Sequence, residues 1–179
     1  MYRSFGYLIP MFLVGAVLLT AVMLLVNWKK IRTRNIDWPR FFLAWCIVAG
    51  LLGVGLISLM PTSGVTGEHA ISLVPLQELS LHGPGVGYSV LKEGAANIFL
   101  FASGSVAISL YRRASSFQTA LVATGIALVV EVMQYLLAPG RISSIDDLLW
   151  AFAGGLLGGA VGVRFRKRAT AKSNLTAGV

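Results

Sequence analysis

Between Tyr7 and Trp28 the chain runs for 22 residues without a single charge. At 1.5 Å per residue a helix of that length crosses the ~30 Å hydrocarbon core of a bilayer. A secretory signal peptide is the rival reading. Its apolar core would be shorter, however, no small-x-small cleavage site follows, and Lys29-Lys30 stop the run. The rest of the chain has the same character: of 179 residues, 56% are hydrophobic and only 12% charged. That is about half the charged fraction of a soluble domain, and mean hydropathy is +0.76. The expected fold is all-α, a polytopic membrane protein with a bundle of about five transmembrane helices.

After the first span, the second covers about Phe41 to Met60 and stops at Pro61, which cannot continue a helix. The third, near Ala95 to Leu110, is short. The fourth runs from about Ala120 to Leu137, bounded by Pro139-Gly140. The fifth, near Leu148 to Val163, is short and glycine-rich. Lys and Arg orient the bundle. Twelve of the 15 fall in the loop with Lys29, Lys30, Arg32, Arg34 and Arg40, the turn with Arg112 and Arg113, and the tail with Arg164, Arg166, Lys167, Arg168 and Lys172. Arg3, Lys92 and Arg141 remain for the opposite side. This bias predicts an outside N-terminus and a cytoplasmic C-terminus. The net charge of +8 is then mostly topology signal. Headgroup contacts with membrane lipids follow from it, and a nucleic-acid role does not, because no aromatic-basic interleaving or binding motif accompanies the charges.

The single cysteine, Cys46, excludes an intramolecular disulfide and a cysteine-cluster metal or redox site. His69 and His82, near Glu68, lack ligand spacing and sit among turn residues, so no metal and no cofactor are expected. The long outer loop, Pro61 to about Gly94, contains the apolar stretch Ile71 to Leu79. It is read either as a segment at the interface or dipping back against the bundle, or as a loop tethered by a few leucines.

Most of the acids fall on the outer side: Glu68, Glu78, Glu93, Asp146 and Asp147. Glu131 is the exception that matters, an ionisable residue inside the fourth span and therefore a candidate functional group. Thr124, Ala127, Glu131, Gln134 and Ala138 recur at spacings of three and four, a small and polar stripe. Leu121, Leu128, Val132 and Leu136 occupy other faces. In the fifth span Asp147, Ala151, Gly154, Gly158 and Gly162 form a stripe that admits close helix approach, and Gly155 and Gly159 add a second ridge. Ser144 reads as an N-cap with Asp146 and Asp147 in the first turn, which is an alternative account of both aspartates. In the third span Glu93, Asn97, Leu100, Gly104 and Ala107 share one face. Arg141 stands among acids. It either closes the bundle as an ion pair with Glu131, Asp146 or Asp147, or belongs to a substrate pocket; buried charges need partners in both cases.

Glu131-x-x-Gln134, then Arg141, Asp146-Asp147 and Gly154 through Gly158, resemble the VanZ-like family of small membrane proteins. Leu73-Val74-Pro75-Leu76 and Asn97-Ile98-Phe99-Leu100-Phe101 are similar to two further family signatures. The resemblance covers roughly Leu59 to Val163. Ser72, Ser103 and Ala151 depart from the family pattern, standing where asparagine, proline and asparagine are expected. The resemblance implies a multi-pass plasma-membrane protein of the cell envelope, whose founding member reduces sensitivity to the glycopeptide teicoplanin.

The expected organisation is two transmembrane helices over residues 1–60, a VanZ-like domain of outer loop plus three spans over 61–163, and a basic cytoplasmic tail over 164–179. Three functions compete. The first is an outer polar pocket of Asn97, Glu131, Gln134, Arg141, Asp146 and Asp147 that binds a lipid-linked cell-wall precursor, a lipid headgroup or a glycopeptide. The second is an enzyme on a lipid-linked substrate, with Glu131 as general acid or base and Asp147 or Asp146 as the second carboxylate. No nucleophile motif or phosphate loop accompanies these groups. The third is a structural subunit that meets a partner helix through Gly154, Gly158 and Gly162. A transporter is disfavoured by size and by the lack of a detectable inverted repeat.

Overall fold

The computed structural model describes residues 8–58, 70–76, 84–137 and 142–177. In chain order they form α1 (Leu8–Val26), α2 (Trp28–Arg32), α3 (Trp38–Ser58), β1 (Ala70–Ser72), α4 (Pro84–Arg112), α5 (Ser116–Leu137), β2 (Ile142–Ser144) and α6 (Ile145–Ala177). Among the described residues, five helices (all but the five-residue α2) are long and apolar enough to cross a membrane. The fold is therefore all-helical, apart from the two three-residue strands. The chain divides into two compact units, Met1–Met60 and Pro61–Val179.

In the first unit α1 and α3 form a hairpin. Its contacts are large side chains over small ones: a Cβ on Gly53 would sit 3.4 Å from the Phe12 ring, and one on Gly15 would meet the flexible end of Leu52 at 2.8 Å. Among the described residues one polar bond spans the pair, from Trp45 Nε1 to Thr20 Oγ1 at 2.9 Å. Thr20 also donates to Ala16 O at 2.7 Å, the back-bond that satisfies a hydroxyl inside a helix.

In the second unit α6 is the central element, packed along both α4 and α5. Its two glycine ridges take one partner each. Gly154, Gly158 and Gly162 face α4, where added Cβ atoms would strike Ile98 O, Ala102 O and Ser109 Cβ. Gly155 and Gly159 face α5, against Ala120 Cα at 2.5 Å and Thr119 Oγ1. Here the neighbours are backbone or short side chains with nowhere to move. Close approach of this kind drives helix association where lipid is as apolar as leucine.

Two spans are longer than hydropathy indicates. α4 begins at Pro84, not near Ala95, so Lys92 and Glu93 belong to the helix. Proline is preorganised for a helix's first turn, but Gly85 and Gly87 keep the local hydropathy low. α6 runs to Ala177, so the basic stretch after Val163 continues the helix. Arg, Lys and Ala are good helix formers and no breaker intervenes. Hydropathy reads transfer into lipid, whereas helices overhang the hydrocarbon core freely.

β1 and β2 pair in parallel, Ala70 opposite Ile142 and Ser72 opposite Ser144, with the α4–α5 hairpin as the crossover between them. The segment at Ile71 is thus held to the entrance of α6 by strand pairing. Residues 77–79 of that segment lie outside the described residues.

Candidate polar site at the start of the sixth helix

Ser144 ends β2 and caps α6: the Asp146 backbone N–H donates to Ser144 Oγ at 3.2 Å, the bond expected of an N-cap serine. Capping does not exhaust the two aspartates. Asp146 is buried, and its Oδ1 accepts the backbone N–H of Leu76 at 2.8 Å. Leu76 has a positive φ of 56°, a left-handed conformation uncommon for a leucine. The turn at Leu76 thereby aims its N–H at the carboxylate. Leu73 and Val74 stay exposed beside it, as residues at an apolar interface would.

Asp147 points the other way. Its Oδ1 accepts from Asn97 Nδ2 at 2.6 Å, joining α6 to α4 through a charge-assisted hydrogen bond, the stronger kind. One turn on, Trp150 lies over Gly94, where a Cβ would stand 2.6 Å from the indole. Ala151 is fully buried.

On α5 three members of the expected stripe, Ala127, Glu131 and Gln134, are buried, whereas Thr124 is half-buried and donates to Ala120 O at 2.9 Å. Ala120 and Ala123 are buried too, while Leu121, Leu128, Val132 and Leu136 are exposed. Glu131 keeps 7% of its surface accessible and Gln134 the same. By helical rise Glu131 lies about 9 Å inside the end of α5, and β2 adjoins that end. The structure thus brings Asn97 and Asp147 into contact, docks Asp146 on the Leu76 turn, and buries Glu131 and Gln134 at the same end of the unit. Arg141 and Ala138 lie outside the described residues, as do Glu68, His69, Glu78 and His82.

The α4 face needs correction. Glu93 is exposed and Gly104 has open space around its Cα. The row against α6 is Gly94, Ile98, Ala102 and Ser109, in step with buried Ser105, with Asn97 at its edge. Ala107, from the expected face, is buried as well. Both rows repeat at three to four residues, and the one against α6 is the row whose small residues let it approach.

A family model, VanZ/LLP1, matches residues 41–166. The chain belongs to the VanZ/LLP1 family. Neither curated proteins nor solved structures give a significant match. The matched region takes in the Leu73–Leu76 segment and the Asp146-Asp147 pair, so the Leu76–Asp146 bond joins two stretches that carry the family resemblance.

A group missed at sequence level lies at the opposite end of α6. Arg166 donates through one terminal nitrogen to Ser109 O and, at 2.7 Å, to Ser109 Oγ, and through the other to Ala114 O at 3.0 Å. These carbonyls lie in and just after the last turn of α4, where helical acceptors lack partners. Arg113, at φ 56°, turns the chain there. A box at Ser115 starts α5: its N–H donates to Gln118 Oε1 at 2.9 Å, and its Oγ accepts from Gln118 N–H at 3.2 Å. Thr119 Oγ1 then donates to Gly155 O at 2.9 Å. From Asp147 to Arg166 the helical rise is about 28 Å, close to the thickness of a bilayer core.

Proposed function

We propose that this multi-pass membrane protein of the VanZ/LLP1 family recognises the hydroxyl- and amide-rich headgroup of a lipid-linked cell-wall precursor. The recognition site is the polar end of the second unit, on the extracytoplasmic face of the plasma membrane, and its occupancy alters glycopeptide susceptibility. The observation that carries the reading is the Asn97–Asp147 bond at 2.6 Å. Two spans commit an amide and a carboxylate to each other at the level where Asp146 holds the Leu76 turn and α5 buries Glu131 and Gln134. Polar groups inside a membrane are costly and mark functional sites by default. The charge asymmetry supports the orientation, since twelve of 15 basic residues fall in segments that alternate to one side.

Of the two other readings, the structural-subunit one loses its main support, because Gly154, Gly158 and Gly162 are filled by α4 of the same chain. The enzymatic reading gains nothing from the geometry. Asp146 and Asp147 each accept a hydrogen bond that holds the fold.

The test is Glu131→Gln and Asp147→Asn in the host, each expressed at the native level. Both keep shape and remove charge. The expected outcome is a glycopeptide susceptibility and a lipid-linked precursor profile shifted at least halfway to those of the deletion strain. Variants indistinguishable from wild type, in a host where deletion itself has an effect, overturn the reading.

A further inference from the structure

We infer that the groove at the Arg166 end of α6 binds the phosphate of an anionic phospholipid. The groove has a volume of about 460 Å³ and is lined by Val163, Arg166, Lys167, Thr170 and Ala171. Those positions recur at spacings of three and four and share one face of the helix. They prolong the row that, one to two turns earlier, sets Gly159 on α5 and Gly162 on α4. α4 ends at Arg112 and α5 begins at Ser116, whereas α6 continues to Ala177. The packing face therefore outlasts its partners: the groove's described lining is all on α6, and Arg166 links it to the α4–α5 turn through Ser109 O and Ala114 O.

Charge selects the occupant. Arg112 and Arg113 are exposed on that turn, and Lys167 is exposed in the groove. No Asp or Glu follows Asp147 in the sequence, and none lies between Glu93 and Glu131. Among the described residues the Arg166 guanidinium uses three of its five N–H donors on Ser109 and Ala114. Two remain to meet a phosphate, the anion whose oxygens a guanidinium fork matches.

Position selects a lipid over a free ion. The groove lies about one bilayer core from Asp147 by helical rise, at headgroup level. Val163 gives it an apolar wall, and Phe165 is exposed nearby. Basic pockets at the ends of spans are known sites for anionic headgroups. This site stands at the other end of the unit from the polar cluster and does not depend on its function.

The test uses the full chain purified in neutral detergent, with phosphatidylglycerol, phosphatidylcholine and inorganic phosphate as probes. Native mass spectrometry reads retained lipid, and the unfolding midpoint reads stability. Phosphatidylglycerol is expected to bind at least tenfold tighter than phosphatidylcholine. Lys167→Gln should weaken it about fivefold with the lipid-free midpoint unchanged. Arg168→Gln, one residue on but outside the groove, should weaken it less than twofold. Arg166→Gln is avoided because that side chain also holds α4. Equal retention of the two lipids, no retention of either, or equal effects of the two variants would overturn the site. Displacement of phosphatidylglycerol by 10 mM phosphate would overturn the lipid assignment as well.

Discussion

The two units solve the same problem, helix pairing in lipid, with different chemistry. The hairpin of α1 and α3 relies on large side chains laid over glycine, and on one Trp–Thr bond. No residue of the first span is fully buried; one face, with Phe12, Ala16, Leu19 and Met23, is half-buried, and most of the other apolar residues are exposed. A third of each of the α5 and α6 spans is buried, under alanine, serine, threonine and glycine rather than leucine. The lesson is that burial in a bilayer follows small size, not hydrophobicity: lipid already solvates leucine, so backbone approach and hydrogen bonds supply the attraction. A unit built that way holds polar groups in fixed positions. A loosely paired hairpin does not need to.

The sharpest way to break this contrast is a methyl group. Gly158→Ala and Gly159→Ala place a Cβ against Ala102 O and Thr119 Oγ1, and the helices must separate. Each should cost about 1–3 kcal/mol, and Gly158→Leu more, enough to abolish accumulation in the membrane. Gly15→Ala meets only the end of Leu52, and Gly50, Gly55, Gly104 and Gly125 meet nothing within 4 Å. Alanine at those positions should leave the unfolding midpoint unchanged or raise it, since glycine costs helices about 1 kcal/mol. Equal losses at Gly15 and Gly158 would show that the two units do not differ in kind.

Arg166→Gln tests whether polar satisfaction holds the second unit as firmly as its glycines do. The substitution strips Ser109 O and Ala114 O of a charged donor, which is worth about 1.5–3 kcal/mol. The expected result is a lower unfolding midpoint and faster proteolysis at the α4–α5 turn. Asn97→Ala is the milder counterpart at the other end. It removes the donor to Asp147 Oδ1 and should cost about 1 kcal/mol. Under the recognition proposal it also shifts glycopeptide susceptibility, whereas Arg166→Gln does so only through protein level.

Sequence reasoning reached some of this and not the rest, for identifiable reasons. The α5 stripe through Glu131 and both ridges of α6 are periodic, and periodicity survives translation into structure. The ends of α4 and α6 are not legible in hydropathy, since Lys92, Glu93 and the stretch after Val163 are helical without being apolar. Arg166 reads as one basic residue among many flanking a span. Only the fold shows that it reaches back 57 residues to Ser109. The pairing of Ala70–Ser72 with Ile142–Ser144 has no local signature either, because a parallel pair of three residues is specified by the helices that bring it together. At the polar end, Asn97 and Asp147 are each legible as candidate site residues, but their pairing comes from the fold. The role of Asp146 required the Leu76 turn, which nothing in the residue pattern announces.

The finest test of the comparison lies within the hairpin. Trp45→Phe removes the bond to Thr20 Oγ1 and little else, for Thr20 keeps Ala16 O as its acceptor. Interhelical bonds of this type average about 0.6 kcal/mol in membranes, close to a threefold change in a local opening equilibrium. Cys46, the next residue and the only cysteine in the chain, reports that opening directly. Its labelling by a membrane-permeant maleimide should accelerate about threefold in Trp45→Phe, while the overall unfolding midpoint stays within a degree or two. In Gly104→Ala the labelling rate should not change. A large drop in the midpoint with Trp45→Phe would mean that the hairpin's single polar bond carries stability for the whole chain, and that its exposed apolar faces are not held as loosely as their packing indicates.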